Sequence, residues 1–93
     1  MIVAFDCDNT LFDLKGRIIV ENVQQLFWWL RRGDRVIIWS GGGKGYAETN
    51  ARRLGIEDAV ICAMKCTKDA ERLKPDICFD DELVNLANVN VKV

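Results

Sequence analysis

Near the start of the chain the run Val3-Ala4-Phe5-Asp6-Cys7-Asp8-Asn9-Thr10 sets two carboxylates at i and i+2 behind a short apolar stretch. In an extended chain that spacing turns both side chains to the same side. Carboxylates held this close repel one another, so they require a cation or a shared proton. A second acidic pair, Asp80-Asp81, follows the apolar run Ile77-Cys78-Phe79. Two apolar runs, each ending in paired acids, point to one metal-binding, phosphate-handling site.

The elements that must position these residues follow from periodicity. Ile2 to Phe5 reads as a buried strand. Glu21 to Arg32 reads as a helix, with Val23, Leu26, Phe27 and Leu30 at helical spacing and Gly33 as its C-terminal cap. Arg35 to Trp39 is apolar enough for a strand covered on both faces. Ser40-Gly41-Gly42-Gly43 reads as a loop, and Tyr46 to Leu54 as a second helix stopped at Gly55. Asp58 to Ala63 reads as a third strand. Thr67 to Leu73 reads as a short helix capped by Thr67 and broken at Pro75. Ile77 to Phe79 is a fourth strand, and Val89 to Val93 alternates like an edge strand. Strands alternating with helices predict a parallel sheet with helices on both faces. Ligands of such sheets bind beyond the carboxyl ends of the strands. Asp6 and Asp8, Ser40, Lys65, and Asp80 with Asp81 all fall on that one rim.

Length and composition set bounds. The 93 residues make one small domain, residues 1–93, which buries about 60–65% of its unfolded surface. That leaves no mass for a large lid. The net charge of −1 provides no basic stripe for non-specific nucleic-acid binding. No apolar run reaches the ~18 residues of a membrane span, and acids follow the first apolar run at once, so no signal peptide is expected. Three of the four cysteines, Cys7, Cys62 and Cys78, lie in apolar runs or between the two aspartates. They read as small buried hydrophobes in a reducing, cytoplasmic setting. Cys62 and Cys66 are spaced like a metal pair, but no histidine and no second pair accompanies them, which argues against zinc. The glycines from Gly41 to Gly45 lack the spacing of a nucleotide loop. Adjacent Trp28 and Trp29 point about 100° apart on a helix, so one is expected to be partly exposed, which would suit a homo-oligomer contact.

Asp6-Cys7-Asp8-Asn9-Thr10, then Ser40, then a lysine, then Asp80-Asp81 resembles the motif series of the haloacid dehalogenase superfamily of phosphohydrolases. Trp39-Ser40-Gly41-Gly42 and Phe79-Asp80-Asp81-Glu82 resemble its very small members in phage and bacterial genomes. Asn9 stands where that family usually has glycine. The resemblance implies a single Rossmann-like three-layer domain with a mostly parallel sheet and no cap domain. It implies a magnesium-dependent phosphatase in which Asp6 attacks phosphorus and Asp8 serves as general acid, then base. Asp6, the Asp8 carbonyl and Asp81 would hold Mg2+, with Asp80 in support or in exchange with Asp81. Asn9, Ser40 and Gly41 would bind the phosphate.

The family's lysine is expected at Lys65, directly after strand three, with Lys68 as the next candidate and Lys44 as a group that touches substrate. Lys74, at the start of strand four, would sit roughly 20 Å from the rim. The substrate would be a phosphorylated small ester or a phosphorylated macromolecular end. Two other readings stay open. One is a metal- and phosphate-binding module that acts through a partner without turnover. The other is a receiver-like phosphoacceptor, whose acceptor aspartate would be expected after strand three, where this chain has Ala63-Met64-Lys65.

Overall fold

Val3, Phe5, Val36 and Ile38 point to one side of a sheet, and Ala4, Ile37, Trp39 and Cys78 to the other. The period-two alternation of buried strands thus builds two apolar faces, each of which must be covered. In the computed structural model, which describes residues 1–93, eight elements do this. They are β1 (Ile2–Asp6), α1 (Val20–Arg32), β2 (Arg35–Ser40), α2 (Lys44–Arg53), β3 (Ile61–Met64), α3 (Thr67–Leu73), β4 (Ile77–Asp80) and β5 (Val89–Lys92). The first face packs on Val23, Leu26 and Trp29 of α1 and on Ala47 and Ala51 of α2. The second packs on Ala70 of α3, with Leu86 and Ala87 from the β4–β5 connection. The result is a compact three-layer α/β domain of Rossmann-like form.

All five strands are parallel, in the order β3-β2-β1-β4-β5. The chain steps outward from β1 through β2 to β3. It then crosses by α3 to the other side of β1. The order reverses at the gap between β1 and β4, where doubly wound sheets open a ligand crevice. Phe5 pairs with Phe79 across that gap, so the register sets Asp6 beside Asp80 at the carboxyl ends.

Several boundaries differ from the periodicity reading, each for a local reason. α1 starts at Val20, one residue earlier, with extended Ile19 as its cap. α2 starts at Lys44, two residues earlier, because Gly43 (φ 109°) turns the chain and its carbonyl accepts the Ala47 N–H. β3 runs Ile61–Met64 and excludes Asp58. Ile56 is drawn into the core, and a turn closed by the Ala59 N–H on its carbonyl uses up the next residues. Cys66, not Thr67, caps α3, its sulfur accepting the Asp69 N–H at 3.4 Å. Lys74 is the left-handed cap of α3 (φ 51°), and β4 begins only at Ile77. Trp29 is buried and Trp28 is 44% exposed, with the Arg32 guanidinium over both rings.

Candidate active site

The ends of β1 to β4 each deliver a polar residue to the same rim. Asp6 ends β1, Ser40 ends β2, Lys65 follows β3 and Asp80 ends β4. Together with Asp8, Asn9, Gly41, Gly42, Asp81 and Glu82, the first three line an open depression of about 250 Å³ that holds no apolar side chain. A larger hollow of about 970 Å³ lies along α1, lined by that helix alone, and shares none of these residues.

Lys65 is the centre of the charge arrangement. Its Nζ lies 3.2 Å from Asp6 Oδ1 and 3.0 Å from Asp80 Oδ2. Burial pulls the ammonium down, but the hydrogen bond to Asp80 and the charge of Asp6 outweigh it, so Lys65 stays a cation. Its backbone N–H also donates to the Ser40 carbonyl at 2.9 Å, which ties the ends of β2 and β3 together. Lys68 is exposed on α3 and Lys44 is exposed at the start of α2; neither lines the depression.

Asp6 is 5% exposed, and burial, with the neighbouring Asp80 charge, pushes its carboxyl up to about 6 against the pull of Lys65. Asp80 is wholly buried. Its Oδ2 accepts from Lys65 and its Oδ1 from the Glu82 N–H at 3.0 Å. Both of its oxygens are therefore occupied, while half-buried Asp81 faces the depression. Carboxylate oxygens of Asp6, Asp80 and Asp81 lie within 4.8 Å of one another. Such a set of hard oxygen donors suits Mg2+ or Ca2+ and not a soft metal.

Asp8 departs from the extended-chain expectation. The Cys7 carbonyl accepts from the N–H groups of Thr10, Leu11 and Phe12, and Asn9 takes a left-handed conformation (φ 60°). This tight turn ends β1 at Asp6 and leaves Asp8 exposed, with its carboxylate outside the acidic cluster. Asp8 Oδ1 instead accepts the Tyr46 hydroxyl, from the first turn of α2. The Asp8 carbonyl accepts no backbone hydrogen bond, which leaves it free for a cation. Cys7, between the two aspartates, is held as a thiol, since burial pushes it up to about 12.

The glycine loop presents its donors unequally. Gly42 N–H donates to Ser40 Oγ at 3.0 Å and Gly43 N–H to the Ser40 carbonyl at 3.1 Å. Gly41 N–H has no acceptor in the protein, and neither has that of Asp8. Because Ser40 Oγ accepts from Gly42, its own proton remains available to donate. Two unpaired N–H groups and a hydroxyl around a lysine make a concavity that suits an anion. The Asn9 N–H is already taken by the Phe12 carbonyl at 2.6 Å, so only its side chain can contribute.

Sequence reasoning missed Tyr46, the free Asp8 N–H and the Glu82 N–H that holds Asp80. Tyr46 lies 38 residues from Asp8 in the chain and carried no local motif. No family model, curated protein or solved structure matches the chain.

Proposed function

We propose that this chain is a capless, magnesium-dependent phosphomonoester hydrolase of the haloacid dehalogenase type. The observation that carries the reading is the position of Lys65 between Asp6 and Asp80, at the floor of an open, wholly polar depression. A carboxylate with a fixed cation beside it and unpaired N–H donors around it is suited to attack phosphorus while the phosphoryl oxygens are held.

Asp6 forms the new bond to phosphorus, giving an aspartyl-phosphate. Lys65 offsets charge on Asp6 and on the phosphoryl group. Ser40 Oγ–H and the N–H groups of Asp8 and Gly41 hold the phosphoryl oxygens, with Asn9 at the edge. Asp8 gives a proton to the leaving oxygen, then takes one from the water that cleaves the acyl-phosphate. Asp6, Asp81 and the Asp8 carbonyl would hold Mg2+, and Asp80 would orient Lys65 and the Glu82 backbone. When bound, the ion would neutralise phosphoryl oxygens against these carboxylates. The substrate is a phosphorylated small ester or macromolecular end, handled in a cytoplasmic setting.

The test is phosphate release from p-nitrophenyl phosphate with and without Mg2+, for the wild type and Asp6→Asn. Metal-dependent turnover that vanishes in Asp6→Asn is expected. Mg2+ binding without turnover of any ester would instead assign the site to a binding module. Failure to bind Mg2+ would remove the shared site altogether.

A further inference from the structure

We propose that Tyr46 is the positioning residue for the proton-donating aspartate, fixing Asp8 so that one of its oxygens faces the leaving group. The inference rests on the phosphatase reading and extends it to a residue outside the motif series.

Three observations carry it. The Tyr46 hydroxyl donates to Asp8 Oδ1, and no other protein group holds that exposed carboxylate. Oδ2 is therefore the oxygen left to carry a proton. The Tyr46 ring lies against the glycine loop, where a Cβ built on Gly42 would stand 3.5 Å from its Cδ2. The backbone beneath it is anchored from the core: buried Asn50 donates through Nδ2 to the Tyr46 carbonyl at 3.0 Å. Tyr46 thus joins the two loops that wall the depression, the turn after β1 and the glycine loop after β2. An exposed aspartate on a turn otherwise samples several rotamers, whereas proton transfer needs one of them.

The step this serves is balanced as follows. An Asp6 carboxylate oxygen forms a bond to phosphorus while the bond from phosphorus to the ester oxygen breaks. The ester oxygen keeps that electron pair, accepts the proton from Asp8 Oδ2 and leaves as a neutral alcohol. Asp8 is left as a carboxylate and the phosphoryl group stays on Asp6. Help from Asp8 matters most when the leaving oxygen is basic. It matters little for dinitrophenolate, which leaves without a proton.

The experiment compares kcat/KM with Mg2+ on 2,4-dinitrophenyl phosphate and on glycerol 2-phosphate, for the wild type, Tyr46→Phe, Asp8→Asn and the double variant. Phenylalanine keeps the ring on Gly42 and removes only the hydroxyl. Tyr46→Phe is expected to lose about ten- to a hundredfold on the alkyl ester and far less on the dinitrophenyl ester. The double variant should be no worse on the alkyl ester than Asp8→Asn alone, because both changes act on one proton transfer. Equal losses on both esters would make Tyr46 merely structural, and no loss on the alkyl ester would make it a bystander; either overturns the proposal. A wild type that turns over while Asp8→Asn shows no leaving-group dependence would remove the acid role from Asp8, and the positioning role with it. A wild type inert toward both esters would sink the phosphatase reading itself.

Discussion

Opposing forces meet at Asp6. Burial and the Asp80 charge favour its neutral form, Lys65 favours the ionised one, and the balance leaves the carboxyl at about 6 instead of 3.8. The folded chain therefore holds a proton that the unfolded chain has released between those values, so ionising Asp6 opposes folding. The metal-free protein should lose stability as pH climbs from about 4 to about 6. Asp6→Asn should flatten that slope and melt higher than the wild type above about pH 6 in chelator, as thermal unfolding across pH would show. A cation held by Asp6 competes with the same proton. Mg2+ affinity measured by calorimetry should thus weaken below about pH 6, by about tenfold per unit. Lys65→Met removes the charge between Asp6 and Asp80 and leaves both carboxylates facing each other. We expect a loss of about 3 kcal/mol in urea unfolding, because an uncompensated buried charge remains.

Among the elements, the loop from β2 to α2 is fixed by one backbone conformation at Gly43. Gly43 adopts φ 109°, ψ 171°, a region open essentially to glycine alone, and from there launches α2 with Tyr46 in its first turn. Gly43→Ala should cost about 1–3 kcal/mol of stability in chemical denaturation. It should also loosen the contact between Tyr46 and Asp8.

The strands were legible in the sequence because a strand buried on both faces is a short apolar run that stops at a polar residue, as Ile2 to Phe5 stops at Asp6 and Val36 to Trp39 at Ser40. Their carboxyl ends were legible too, since Asp6, Ser40, Lys65 and Asp80 each follow or end such a run. What periodicity could not reveal is what tertiary turns decide. The turn after Asp6, closed on the Cys7 carbonyl, swings Asp8 away from the acidic cluster, although spacing alone aligned it with Asp6. The same limit hid Tyr46, whose partner is distant in the chain. It also hid the late start of β3, which depends on Ile56 being drawn into the core.

For the molecule as a whole, an open depression of about 250 Å³ with no apolar lining would, on the phosphatase reading, hold a phosphoryl group but offer little with which to hold what is attached to it. Esters with leaving groups of equal basicity but different bulk should therefore show kcat/KM values within about one order of magnitude, because the apolar contacts that separate such substrates elsewhere, worth ~1–3 kcal/mol each, are absent from this lining. A steady-state comparison of glycerol phosphate with a phosphoserine peptide checks this. Strong preference for either would show that other surfaces select the substrate.

β5 lies at the sheet's edge, paired on one side only, to β4, and joined to it by a connection without a helix that the Asn90 side chain ties down at Leu86 and Ala87. β1 lies in the middle of the five strands and its interior is fully buried. Amide protons of Val89 to Lys92 should thus exchange with deuterium through small excursions, and those of Val3 to Phe5 only when the whole chain opens. The Asp6 carboxylate at the end of β1 would then keep its place while the sheet's margin opens.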